Sequence, residues 1–199
     1  MRFNPCQPIH YVINPEGGPE GAVEMVQEVV QLVAAATGIE FVYDGIRAET
    51  FEKVELTEKG LDVKRNWFQP EVYGQDKWAP LLISWDLLGR KSLLQGGHGG
   101  AGGSLPVDAP GVGSVLVSGG VVMDSEGSPR SERKHLMHEM GHVMGLGHVE
   151  DNSQIMAQGP GTGITRFGAG DLAGLRQLGR DSGCLPEVAP TAVGVTALE

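Results

Sequence analysis

The chain has 199 residues, of which 40% are hydrophobic, and a formal charge of −10 at pH 7. That length is one domain by default, and the acidity argues against nucleic acid as a partner. No apolar run approaches the roughly 18 residues that a membrane-spanning helix needs.

In chain order, Ile9 to Asn14 alternates and reads as a strand, stopped by Pro15-Glu16-Gly17-Gly18. Pro19 to Thr37 reads as a helix, with Val23, Val26, Val30 and Val33 or Ala34 on one stripe and Gly38 as its stop. Ile39 to Tyr43 is a second strand, and residues 46 to 78 are poorly patterned. Leu81 to Trp85 is a strongly apolar third strand. Gly makes up 31 of the 199 residues, and much of the excess lies between 96 and 120. Leu93 to Gly111 therefore reads as a long loop with at most a short edge strand. Val115 to Met123 is a further strand, in which Gly119-Gly120 suggests a bulge or a close backbone approach. Ser128 suits an N-cap and Pro129 a first helical position. The helix they open has Leu136, Met140, Val143 and Met144 on its core side. Its internal Gly141 is explained if the helix lies close to the sheet. Asp171 to Leu178 is a last helix, set between Gly170 and Gly179. Strands alternating with a helix and ending in a helix fit an α+β or mixed-sheet domain.

The two cysteines, Cys6 and Cys184, bracket the chain. One disulfide between them is the favoured reading, and two unpaired thiols are the alternative. Met1-Arg2-Phe3-Asn4-Pro5 lacks the apolar segment of a secretory leader. The expected location is extracellular or cell-surface, with the leader not present in this chain, and the expected state is a monomer with its domain over 1–185 and 186–199 as a linker or disordered tail.

The chemistry concentrates in HEMGHVMGLGH, residues 138 to 148. His138 and His142 are one helical turn apart and point the same way, so both can grip one ion. Gly145 lets the chain leave the helix, and His148 can then close the coordination. Three protein ligands leave one position open, which marks a catalytic zinc rather than a structural one. Glu139 is offset by about 100° around the helix and is the candidate general base.

HExxHxxGxxH resembles the metzincin clan of zinc metallopeptidases. Ser153-Gln154-Ile155-Met156 looks like the clan's methionine turn, and Met156, eight residues after His148, is similar in spacing to the matrixin branch. A strand, a long helix ending in Ala-Thr-Gly at 36 to 38 and then Ile39-Glu40-Phe41 resemble the short matrixin-type domains of bacteria. Matrixins usually carry Ser after the third histidine and Pro two places after the methionine, where this chain has Val149 and Gln158. The resemblance implies a twisted sheet with two long helices in 1–147, a smaller part with a terminal helix in 148–185, and a cleft between them. It also implies one catalytic Zn²⁺, a protein or peptide substrate, and Met156 as an apolar floor beneath the imidazoles. An adhesion or recognition module that keeps zinc on the same fold is the alternative. A prodomain-type inhibitory thiolate, as in some matrixins, does not match the Asn4-Pro5-Cys6-Gln7-Pro8 context.

Other residues have weaker readings. A second zinc or a calcium is the alternative use of His98 with Asp108, and calcium of Glu150-Asp151; exposed loop residues are the default for both. His135 reads as a solvated residue of the helix start and His10 as structural. Trp67, Trp78 and Trp85 are assigned to the core by default.

Overall fold

A computed structural model of the protein describes residues 1–51, 53–57, 60–64, 73, 76–86, 99–125, 129–159 and 163–190. Trp67, His98 and Ser128 lie outside the described residues, as does the end of the segment read as a tail.

The described chain runs β1 (Ile9–Asn14), α1 (Ala22–Thr37), β2 (Phe41–Ile46), β3 (Lys53–Thr57), β4 (Gly60–Lys64), β5 (Leu81–Asp86), β6 (Gly100–Ala109), β7 (Gly113–Asp124), α2 (Pro129–Met144) and α3 (Ala169–Leu178). Five strands form one mixed sheet in the order β2-β1-β5-β7-β6. The first four are mutually parallel, and β6 runs antiparallel at the edge beside β7. The fold is α+β, as expected.

Alternation along the central strands sorts the side chains between the two faces. Tyr11 and Ile13, Leu81 and Ile83, and Val121 and Met123 join the cluster that holds the helices. Val12, Leu82 and Val122 point the other way and are equally buried. On the helical side α1 supplies Val26, Val29, Val30 and Val33, and α2 supplies Leu136, Met137, Met140, Val143 and Met144. At about 1.5–3 kcal/mol per buried large side chain, these two stripes are the main force holding α2 to the sheet.

Several boundaries differ from the sequence reading. α1 starts at Ala22 rather than Pro19 because Gly21 has φ +77°, outside the helical region. The stripe accordingly begins at Ala22, and Val23 is only half-buried. β2 starts at Phe41 because Ile39 N–H is held by Thr37 Oγ1 and belongs to the helix exit. β3 and β4 form an antiparallel hairpin within the stretch that had no clear pattern.

The largest correction concerns residues 93 to 111. Among the described ones, 100 to 109 are a ten-residue strand rather than a loop. Their glycines serve proximity. A Cβ on Gly102 would lie 2.9 Å from Cβ of Glu139, and one on Gly100 would lie 3.1 Å from its Cγ. The strand thus lacks side chains where α2 presses on it. Pro106, which has no N–H for a ladder, sits in this edge strand at the point where its register against β7 slips. Gly119 and Gly120 do mark a close approach: Cβ atoms there would meet backbone of β6 and β5.

Cys6 and Cys184 are joined in a disulfide, with Cα atoms 5.4 Å apart and 178 positions apart in sequence. Asn4 reinforces the join: its side chain donates to Leu185 O at 2.8 Å and accepts from Leu185 N–H at 3.1 Å. Further along, Trp78 Nε1 donates to Val188 O, and Pro190 is buried. No helix among the described residues is long and apolar enough to cross a membrane.

Trp85 is in the core as expected, where its Nε1 donates to Glu132 Oε2 at 3.0 Å. Burial pushes the Glu132 carboxyl up, Trp85 opposes that, and Asp124 adds to it.

Two expectations follow. Replacing both cysteines by serine should cost about 2–5 kcal/mol in denaturant unfolding, because the closed loop is long. An unchanged midpoint would show that the bridge does not constrain the unfolded chain. For Glu132, a folded-state carboxyl raised above its unfolded value contributes stability that is full below the unfolded value and declines as pH rises through the folded one. Glu132→Gln should therefore lose less stability than wild type between pH 4 and neutrality. Parallel stability-against-pH curves for the two proteins would contradict this.

Candidate metal centre

α2 ends where the site begins. Gly145 has φ +104°, and its N–H bonds to His142 O at 2.9 Å, so the helix stops and the chain reverses. Only glycine takes this conformation readily. The reversal brings His148 back over the helix. The Nε2 atoms of His138, His142 and His148 then form a triangle with all three edges 3.1 Å.

The His138–His142 contact is not a hydrogen bond between the rings. His138 Nδ1 lies 2.7 Å from Ile155 O, and His142 Nδ1 lies 2.9 Å from Leu146 O. A carbonyl only accepts, so in both rings Nδ1 carries the proton and Nε2 presents its lone pair. Burial also pushes both rings down in pKa, which favours the neutral form. Converging lone pairs repel unless a cation sits between them. A tetrahedral zinc with Zn–N of about 2.0–2.1 Å separates its nitrogens by about 3.3 Å, close to the edges observed. The donor set therefore fits zinc. Among the described residues it is the one group of three such side chains within range of one another.

The segment 153–156 supports the triangle from beneath. Ile155 O receives His138, and Met156 O accepts from Val149 N–H at 3.1 Å, the residue after His148. Met156 is 1% exposed and packs on α2: a Cβ on Gly141 would run into its sulfur. The close contact that explains Gly141 is thus with Met156 and not with the sheet.

Asp171, which sequence reading placed only at a helix start, anchors this segment. Its carboxylate accepts from the N–H groups of Ile155 (2.7 Å), Met156 (3.2 Å) and Gly168 (2.9 Å). Gln154 completes the link: its Oε1 accepts from Gly170 and Asp171 N–H, and its Nε2 donates to Asp151 and Ser153. An acid three residues after a glycine that opens a helix is the signal for the Gly168 contact, but nothing in spacing points to the other two.

Glu139 follows His138 on α2 and is 9% exposed. Burial pushes its carboxyl up to about 7, partly opposed by Gly102 N–H, which donates to it. It therefore meets β6, the edge strand, through a backbone hydrogen bond.

The remaining candidates lie apart from the triangle. His135 is half-buried rather than solvated, because it packs on Gly99, where a Cβ would overlap its ring. Burial pushes its pKa down, and Lys134 adds to the shift. His10 is exposed and paired with Asp44 at 3.0 Å. Asp108, Glu150 and Asp151 are exposed, and the Ser153 side chain, followed by Ser153 N–H at 2.9 Å and the Gln154 side chain, lowers the Asp151 pKa. Trp78 is half-buried.

No protein-family model matches the sequence, and no curated protein matches it. Among solved structures, the chain is similar to metalloproteinase-II from Bacteroides fragilis, with 15% identity and a TM-score of 0.49. The match covers 90% of this chain and 55% of that one, so the chain spans little more than half of that protein's length.

Asp171→Ala should leave three backbone donors without their acceptor, two of them in a fully buried turn. At about 1–3 kcal/mol for each unsatisfied group, unfolding should be easier by at least about 3 kcal/mol. A loss below about 1 kcal/mol would mean that the turn is held by its packing alone.

Proposed function

We propose that the protein is a secreted zinc-dependent endopeptidase of the metzincin type, with residues 1–185 as its catalytic domain and the cleft between 1–147 and 148–185. The observation that carries this reading is the triangle of Nε2 atoms, two of them presenting lone pairs because carbonyls take their Nδ1 protons, with a buried carboxylate on the adjacent helical position. His138, His142 and His148 would hold one zinc. When bound, zinc lowers the pKa of its water towards 7 and polarises a carbonyl.

The rest of the chemistry belongs to the chain's own groups. Glu139 takes the proton from the attacking water on a carboxylate oxygen and delivers it to the leaving amide nitrogen. A carboxyl held near 7 suits both halves of that transfer. Gly102 N–H steadies the carboxylate, so its position is fixed by the sheet edge. The peptide lies extended against β6, the strand next to α2, and adds backbone hydrogen bonds to that edge. Met156 gives the imidazoles an apolar floor, and the Nδ1–carbonyl bonds hold the rings in the metal-binding tautomer. The disulfide supports the extracellular assignment.

The test is paired. Wild type dialysed without chelator should keep about one equivalent of zinc, and His142→Ala should lose it. Glu139→Gln should keep the zinc while kcat on a quenched peptide library falls at least about a hundredfold. Retained zinc in His142→Ala would refute the ligand assignment, and full activity in Glu139→Gln would refute the general base. Wild type that holds zinc and cleaves nothing across a broad library would instead favour a recognition module on this fold.

A further inference from the structure

A cavity of about 460 Å³ is lined by none of the three convergent histidines, and His10 is the one histidine in its lining. Its volume falls in the range of small-ligand pockets, roughly 300–1,000 Å³. The walls come from the N-terminal segment, the stretch before β5, the start of β7 and residues 185 to 189. The last of these form a strap, pinned by the disulfide at Cys184, by Asn4 on Leu185 and by Trp78 on Val188.

The lining chemistry selects a ligand class. Phe3, Ile9 and Leu116 are buried side chains and make an apolar floor. The Trp78 ring is fixed by its 2.6 Å bond to Val188 O and is a flat π surface on the wall. The lining carries three carboxylates, Asp44, Asp76 and Glu187, against one ammonium, Lys77, and Asp44 is engaged by His10, whose Nδ1 is 3.0 Å from each of its oxygens. Asp76 and Glu187 form no hydrogen bond or ion pair with another described residue, and both are exposed. Carboxylates therefore outnumber cations in the lining, which also holds an indole and apolar side chains. A cation on an apolar stem satisfies all three, through ion pairing, cation–π attraction and burial.

We propose that this cavity binds an organic ammonium ion carrying an aryl or alkyl group. The apolar part enters the floor, and the ammonium stays at the mouth near Asp76, Glu187 and the face of Trp78. The site is independent of the zinc centre and does not rest on the peptidase reading.

Calorimetric titration of the full chain tests it with three probes of one size: 2-phenylethylammonium, 2-phenylethanol and 3-phenylpropanoate. The ammonium should bind saturably at one equivalent and shift the Trp78 indole N–H resonance. The alcohol should bind at least about tenfold more weakly, and the carboxylate more weakly still. Asp76→Asn with Glu187→Gln should weaken the ammonium at least about tenfold and leave the alcohol unchanged. Both side chains are exposed, so an unchanged unfolding midpoint checks that the fold is kept. His142→Ala should bind the ammonium as wild type does. No saturable binding, equal affinity for the three probes, an unchanged ammonium affinity in the double variant, or loss of binding in His142→Ala would each overturn the proposal.

Discussion

The three-histidine site depends on the peptide units of Ile155 and Met156. Their carbonyls face the histidines, receiving His138 directly and holding the backbone beside His148. Their N–H groups face the other way, onto Asp171. A buried carboxylate is stable only where donors surround it, and here those donors belong to the turn that the histidines need. One side chain on α3 therefore sets the height of a turn that in turn fixes ring orientation on α2. The geometry is transmitted through short, directional bonds and not through loop length.

A second constraint is the distance between α2 and β6. Glycine in a strand normally weakens it, through greater chain entropy and the lack of a packed side chain. Here Gly100 and Gly102 remove the atoms that would hold Glu139 away from the strand. The result is a carboxylate that is nearly dry yet bonded to a backbone N–H of the sheet edge. Its raised pKa follows from that placement: burial disfavours the charge, and one N–H restores only part of it.

How much of this was legible in sequence varied with the physics involved. Amphipathic stripes located α1 and α2, and apolar runs bounded by turn residues located β1, β5 and β7, to within a few residues, since each helix buries one face and the central strands bury both. The spacing of His138, His142 and His148 was legible because helical geometry and one reversal at Gly145 suffice to bring them together. β6 was not legible, because a glycine-rich strand has neither the alternation nor the branched side chains that mark strands. The β3–β4 hairpin escaped for a related reason, since its ladder lies outside the main sheet and its stretch shows no clear period. Asp171 was seen only as a helix start, because its partners are backbone groups fifteen and sixteen positions away that carry no side-chain signature.

The disulfide has a mechanical consequence. With Cα atoms 5.4 Å apart, Cys6 and Cys184 close nearly the whole domain into a covalent ring whose entry and exit points coincide. Tension arriving along the polypeptide from either side passes through the sulfur bridge and bypasses the sheet and helices. The domain hangs from such a chain as a side pendant, so stretching its attachments cannot shear β1 from β5 or draw His148 away from α2 while the bridge is intact.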